Sequence, residues 1–337
     1  FLEGWEAVND LGQSYTLAQL SEKGISNPRN RKAELMVRIR GFEEMAVAQG
    51  HDGYFITITC PSKYHPTSNG KRNRKYLKAD CPTVREAQTY LNKVWQRFRS
   101  YCKRNGIAFY GLRTVEPHHD GCPHWHMLTF VKPDQAEHFL KVFRRYAMAE
   151  DGNERGADKH RFTVVKIDPT KGTAAGYVAK YVAKNITGEH IDTDNETGRS
   201  GSDAAERITA WARLNRIRQF QFVGGVSVTV WRELRRLGVN AAPKECLDIY
   251  HAANRADWSA FVTLMGGVFA GRNQTLKPHY SEPESNRFGE MVAAIKGVVA
   301  MASGIEVITR LYEWTVHRVG TGSESLSLKN GEAVPWT

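Results

Sequence analysis

Two short segments carry residue types that could do metal-assisted chemistry on a phosphate ester. The first is Pro123-His124-Trp125-His126-Met127-Leu128-Thr129-Phe130. In a strand, alternate side chains share a face, so His124 and His126 would point the same way and could grip one metal ion from a rigid platform. Pro123 suits a strand's first position, where the missing N–H does least harm. Glu116 lies upstream, across a short connection. An odd number of unpaired residues there, or a bulge, would bring Glu116 opposite one of the histidines. Two imidazoles and a carboxylate leave positions open for water and phosphate oxygens. Such a set suits Mg²⁺ or Mn²⁺ as a Lewis acid and would also accept Zn²⁺. His118, His119 and Asp120 compete for the third position but fall in the turn, as supporting or loop residues. Two surface histidines on an exposed sheet would show the same triplet.

The second segment is Gly176-Tyr177-Val178-Ala179-Lys180-Tyr181-Val182-Ala183-Lys184-Asn185. On a helix, Tyr177, Lys180, Tyr181 and Lys184 share one arc, and Val178, Ala179, Val182, Ala183 and Ile186 the opposite one. The apolar arc packs inward, so the Tyr/Lys arc faces a cleft or solvent. Boundary tyrosines with wet hydroxyls are the bland alternative. Against it stands the tandem unit YVAK: a lysine beside a phenol favours the ionised form and can neutralise a phosphate. A phenolate near a metal-bound phosphodiester is a nucleophile facing an activated target.

The surrounding pattern supplies elements to position both segments. Tyr54 to Cys60 is β-branched and aromatic, a strand ended by Pro61. Thr83 and Glu86 form a capping box, followed by Val84, Ala87, Leu91, Val94, Trp95 and Phe98 at helical spacing. That helix stops near Asn105-Gly106. Ile107–Glu116 and His124–Lys132 read as strands joined through PHHDGCP, whose Asp-Gly step signals a hairpin. A helix over Asp134–Ala149, a strand over Arg161–Asp168 and a helix over Thr173–Asn185 follow. The order βαββαβ predicts an α+β fold: a central antiparallel sheet in a split-βαβ, ferredoxin-like arrangement with flanking helices. We expect a helical segment over 1–50, the core over 51–187, and a Gly/Ser-rich linker or loop over 188–206. A mostly helical extension over 207–337, packed on the core, should complete the chain, with helices over 247–266 and 287–314.

The 337 residues suffice for one large or two ordinary domains. Net charge is +11, which suits a polyanionic partner. Five cysteines with wide spacing and no CxxC argue against a disulfide framework or zinc ribbon and fit a reducing cytosol. No run of apolar residues is long enough to span a membrane. The first residue is Phe1 rather than Met, so the chain reads as an excerpt of a longer protein. Lys63, Tyr64 and His65 follow the first strand, and a basic run containing Lys71, Arg72 and Arg74 lies beyond. Basic and aromatic residues together suit single-stranded DNA, since phosphates pair and bases stack.

HWH on a strand, Glu116 upstream and YxxxY on a later helix resemble the HUH endonucleases, which include rolling-circle replication initiators, relaxases and some transposases. The likeness is closest to the bacteriophage replication gene A protein family, through ITCPSKYH (58–65), EPHHDGCPHWH (116–126), YVAKYVAKN (177–185), IRQFQFVGG (217–225) and VTVWRELRRL (228–237). It implies His124, His126 and Glu116 as metal ligands, and Tyr177 and Tyr181 as nucleophiles with Lys180 and Lys184 beside them. It also implies site-specific nicking of single-stranded DNA at a replication origin, leaving a 3′-OH for a polymerase and a 5′-phosphotyrosine. The second tyrosine would cleave after one round, and strand exchange would release a joined circle. A host helicase and polymerase would be partners, in the bacterial host cytosol. Two rivals remain at this point: a non-catalytic nucleic-acid binding module, and a one-tyrosine relaxase or transposase.

Overall fold

A computed structural model describes residues 1–68, 70–188, 201–238, 242–286, 288–319 and 325–327. The strands are β1 (Trp5–Asn9), β2 (Ser14–Thr16), β3 (Asp52–Ile58), β4 (Thr67–Ser68), β5 (Lys71–Arg72), β6 (Phe109–Pro117), β7 (Pro123–Val131), β8 (Phe162–Lys166) and β9 (Phe220–Val223), then β10 (Leu276–Tyr280), β11 (Glu284–Ser285), β12 (Met291–Val292), β13 (Ile295–Ala300), β14 (Glu306–Ile308), β15 (Trp314–Arg318) and β16 (Ser325–Ser327). The α-helices are α1 (Leu17–Lys23), α2 (Pro28–Gln49), α3 (Arg74–Lys78), α4 (Val84–Arg104), α5 (Pro133–Ala147), α6 (Ala157–His160), α7 (Ala174–Ile186), α8 (Gly201–Leu214), α9 (Val228–Leu234), α10 (Leu247–Asn254) and α11 (Trp258–Leu264). They segregate into two compact units, Lys32–Gly224 and Phe1–Arg31 with Gly225–Thr337.

The unit 32–224 is built on a five-stranded sheet in the order β8-β3-β7-β6-β9, every pair antiparallel. One face of the sheet meets α4 and α5. Helix α4 starts on the expected capping box, with Thr83 Oγ1 accepting from Glu86 N–H and the Glu86 carboxylate accepting from Thr83. Its buried stripe, Leu91, Val94, Trp95 and Phe98, meets Phe139 and Phe143 of α5, with the Phe98 and Phe143 rings stacked at 3.9 Å. Ile56, Ile58, Trp125 and Met127 supply the sheet side of this core, each almost wholly buried. The period-2 alternation of a strand then sends Phe55, Thr57, His124 and His126 to the opposite face.

Two glycines matter to the β6–β7 ladder. Gly111 pairs with Thr129, and a Cβ there would lie 1.9 Å from the Leu128 carbonyl oxygen, so no other residue fits. Gly121 takes φ +82° in the connecting turn, where the Asp-Gly step was expected to act. His118 N–H donates to the Cys122 carbonyl there, and Cys122 N–H to Asp120 Oδ1.

The second unit carries the sheets β16-β15-β1-β2 and β10-β13-β14, with α9–α11 clustered through Trp231, Trp258 and Phe261. Here two expectations are corrected. Within 1–50, α1 and α2 are helical as expected, but residues 5–9 and 14–16 form strands, because β1 finds its partner at β15, Trp5 opposite Arg318. The described residues of 287–314, expected to be helical, carry the strands β12, β13 and β14 instead. Val298, Val299, Val307 and Ile308 are β-branched residues that pack well in a sheet, and Gly297 lets β13 and β14 approach closely. The segment 207–337 is therefore strand-rich beyond α11. Of the expected linker, 189–200 lie outside the described residues, and 201–206 open α8. Among the described residues, no helix is long and apolar enough to cross a membrane.

Candidate active site

The β6–β7 hairpin settles where Glu116 points. Its register pairs Glu116 directly with His124, and Pro117 with Pro123. The turn between them holds an odd number of residues, 118 to 122, so the carboxylate joins the histidine face. Glu116, His124 and His126 each offer a ligand atom, all within 4.8 Å of one another. His124 Nε2 and His126 Nε2 stand 2.9 Å apart.

This arrangement fits a cation. Bonds of about 2.1 Å to two adjacent coordination positions at right angles place the two donor atoms about 3 Å apart. Thr57 Oγ1 lies 2.9 Å from His126 Nδ1. A hydroxyl accepting from Nδ1–H at this position would select the tautomer whose Nε2 lone pair is free for a metal ion. His124 Nδ1 is buried without a hydrogen-bond partner among the described residues. Burial, His118, His126 and Lys184 hold the His124 imidazole well below its ordinary value. Burial, His118, Lys184 and Lys180 push His126 down to about 3. Both rings are thus neutral at neutral pH, the protonation state that metal ligation requires.

Helix α7 brings the tyrosines. Its first turn is capped twice: Thr173 Oγ1 accepts from Gly176 N–H at 3.0 Å, and the Glu43 carboxylate of α2 accepts from Ala174 N–H at 2.6 Å and Ala175 N–H at 3.1 Å. Val178, Val182 and Ala183 are buried, as the apolar arc requires. Tyr181 lies in the site itself: its ring centroid is 4.4 Å from that of His126 and 5.1 Å from that of Phe55, stacked on the latter. Tyr177, one turn earlier, lines a cleft of about 600 Å³ with Tyr181, Lys180, Phe55 and Thr57. Both phenols are half-buried rather than enclosed in the core.

The two lysines divide. Lys180 is exposed, with Nζ 5.0 Å from the Tyr181 ring centroid. Lys184 Nζ instead approaches Glu116 Oε2 at 3.8 Å, so its charge is directed at the carboxylate. Asn185 Nδ2 donates to Glu116 Oε1 at 2.6 Å and to the Tyr181 carbonyl at 2.6 Å. Neither Asn185 nor Thr57 stood out in the sequence. Asn185 belongs to the YVAKYVAKN segment, and its place one turn after Tyr181 was the available signal.

His118 and Asp120 take supporting places. The His118 ring packs edge-on against His124 at 4.0 Å, and burial with the neighbouring His65 charge lowers it to about 4. Asp120 is committed to His65 Nδ1 at 2.9 Å. Burial is the largest single influence on His65 and opposes charging it, but Asp120 and Cys122 together outweigh it and lift the imidazole to about 10.

Of the other residues expected at DNA, Lys71, Arg72 and Arg74 are exposed on β5 and at the start of α3. Lys63 is committed to Glu150 and Asp151 at 2.6 and 3.1 Å, and the Tyr64 ring stacks on Tyr90 at 5.3 Å.

Residues 1–189 match the family model for the bacteriophage replication gene A protein. Over 330 residues the chain is 41% identical to the replication gene A protein of Escherichia phage 186, covering 94% of this chain and 47% of that one. It is 40% identical over 348 residues to the replication protein of Haemophilus phage HP1, covering 98% and 44% respectively. It is 32% identical over 357 residues to a Salmonella paratyphi A protein named "probable replication endonuclease from prophage-like region", covering 100% and 44%. The chain spans about half the length of the curated relatives it matches. No solved structure matches it.

Proposed function

Since the chain belongs to the bacteriophage replication gene A protein family, we propose that it nicks and rejoins single-stranded DNA at a replication origin through a covalent tyrosine–DNA bond. The single observation that carries this reading is the Tyr181 ring lying 4.4 Å from that of His126 within the Glu116/His124/His126 cluster. The name given to the Salmonella relative, a replication endonuclease, agrees with it.

Glu116, His124 and His126 would hold Mg²⁺ or Mn²⁺, which supplies Lewis-acid polarisation of the scissile phosphate when bound. The chain's own residues do the rest. Phe55 and His126 flank the Tyr181 ring and set the direction from which its oxygen approaches phosphorus. As the new P–O bond forms, the P–O3′ bond breaks; the 3′ oxygen leaves and takes up a proton, and the phenol's proton passes to solvent in the cleft. Lys180 supplies positive charge at the rim for the phosphate. Tyr177 stands one helical turn away, about 6 Å at Cβ, so the two phenols can serve one phosphate site in succession. The phosphotyrosine keeps the ester bond energy, so rejoining needs no nucleotide cofactor. Lys71, Arg72 and Arg74 extend a basic track for the strand. In the whole replication protein, the released 3′-OH would prime a host polymerase, with a host helicase opening the duplex ahead.

The test uses circular single-stranded phage DNA with and without Mn²⁺, resolved under denaturing conditions. Wild type should yield a protein–DNA adduct that chelator and the Y177F/Y181F variant both abolish. Absence of an adduct with any divalent ion would favour a binding module. Cleavage persisting in the double variant would make water the nucleophile.

A further inference from the structure

A second cavity, of about 350 Å³, reaches the histidine cluster through His118, which packs on His124. Its walls include His65, His118, Thr67, Ser68, Arg155 and His160. His118 connects it to the metal ligands, because its ring lies 4.0 Å from that of His124 and 5.3 Å from that of His65. Aromatic rings therefore run in series from Tyr181 through His126, His124 and His118 to His65, with centroid spacings of 4.4, 4.6, 4.0 and 5.3 Å. The tyrosine cleft and this cavity stand at opposite ends of the series, with the Glu116/His124/His126 cluster between them.

The cavity's chemistry suits a nucleotide. Its one acidic wall residue, Glu154, is already committed to Arg161 at 2.8 Å, Lys75 at 2.8 Å and the Ser62 N–H at 3.0 Å. Arg155 and His160 are exposed at the rim, and Asp120 keeps His65 in its charged form. His118 Nε2 is shut off from solvent with no hydrogen-bond partner among the described residues. Thr67 and Ser68 lie on β4, whose register sets them opposite Arg72 and Lys71. The cavity therefore opens toward the exposed basic hairpin, where a phosphate backbone would continue.

In-line displacement fixes which nucleotide this is. The attacking and leaving oxygens lie on opposite sides of phosphorus. A phenol approaching from the Tyr181 end leaves the departing 3′ oxygen, and the nucleotide bearing it, at the His118 end. We propose that the cavity walled by His65, His118, Arg155 and His160 binds the nucleotide on the 5′ side of the scissile phosphate, the one released with the free 3′-OH. Holding that nucleotide keeps the 3′ oxygen beside the phosphotyrosine for the reverse, joining step. This inference rests on the tyrosine-transfer reading above.

The nick position is first read by sequencing the 3′ ends that wild-type protein releases from circular single-stranded phage DNA. Two oligonucleotides spanning it are then made, with 4-thiothymidine immediately 5′ or immediately 3′ of the nick, and crosslinked to the Y177F/Y181F protein. The 5′ label should crosslink within residues 59–68 or 154–161, and the 3′ label elsewhere. R155E/H160E, which changes two exposed side chains and so spares the fold, should weaken binding of the 5′ half-oligonucleotide by about tenfold and leave the 3′ half unchanged. Adduct formation by wild type with the 5′ label crosslinking to 171–181, or with both halves weakened equally by R155E/H160E, overturns the cavity assignment alone. No adduct from wild type overturns both this and the transfer reading.

Discussion

Asn185 donates its side-chain amide to Glu116 Oε1 at 2.6 Å, tying the helix of the two tyrosines to the strand of the carboxylate. The same amide reaches the Tyr181 carbonyl, so the bond also fixes the turn on which Tyr181 sits. Partners of this kind orient metal ligands from behind. Asn185→Ala should lower Mn²⁺ affinity about 10- to 100-fold, measured by calorimetry, with the far-ultraviolet circular dichroism unchanged. Equal affinity in wild type and variant would reduce Asn185 to a packing residue.

The ligand set predicts a graded response. His124→Ala and His126→Ala should each abolish measurable Mn²⁺ binding, whereas Glu116→Gln should weaken it and leave the imidazole pair in place. Binding that survives His126→Ala undiminished would place the ion elsewhere.

Lys71, Arg72 and Arg74 are exposed, while Lys63 is neutralised by Glu150 and Asp151. K71A/R72A/R74A should therefore weaken single-stranded DNA binding and flatten the slope of log affinity against log salt by about 2, from three lost phosphate contacts. Lys63→Ala should leave that slope alone. The reverse pattern would shift the DNA track onto the loop after β3.

Proton linkage gives the metal-free fold a stability maximum near neutral pH. His118, His124 and His126 are held neutral in the fold but charge near pH 6.5 once unfolded. The unfolded chain then binds more protons, so stability present above pH 6.5 is lost as pH falls toward 4. His65 works in the opposite sense: its folded value of about 10 gives stability that is full below 6.5 and lost as pH rises toward 10. Thermal unfolding in chelator across pH 4 to 10 should show both limbs, with H118Q flattening the acid one and H65Q the alkaline one. Limbs unchanged by these variants would break the assignment.

The parts of this molecule legible in its sequence are those encoded locally. The capping box at Thr83, the stripe of α4, the Asp-Gly turn and the alternation of β7 each lie within one element, and all appear as read. Glu116 was legible conditionally, because its facing depended on a turn length that the register now gives. Asn185 and Thr57 were not, since each acts only once α7 and β3 are laid beside the histidine strand. Within 1–50, read as mostly helical, the strands at 5–9 and 14–16 were missed for a related reason: β1 pairs with β15, more than 300 positions along the chain, and no local pattern announces such a partner. At 287–314, read as helical, the β-branched Val298, Val299, Val307 and Ile308 lie in strands instead.

The most direct measurement of the central claim is to locate the DNA on the protein. Trypsin cleaves after Lys171, Lys180 and Lys184, which puts Tyr177 and Tyr181 on separate peptides, 172–180 and 181–184. Wild-type protein reacted with circular single-stranded phage DNA and Mn²⁺, then digested with nuclease and trypsin, should show a 5′-nucleotide phosphate on one or both of these peptides and none when chelator is present. Nicked DNA accompanied by unmodified 172–180 and 181–184 peptides would contradict the account.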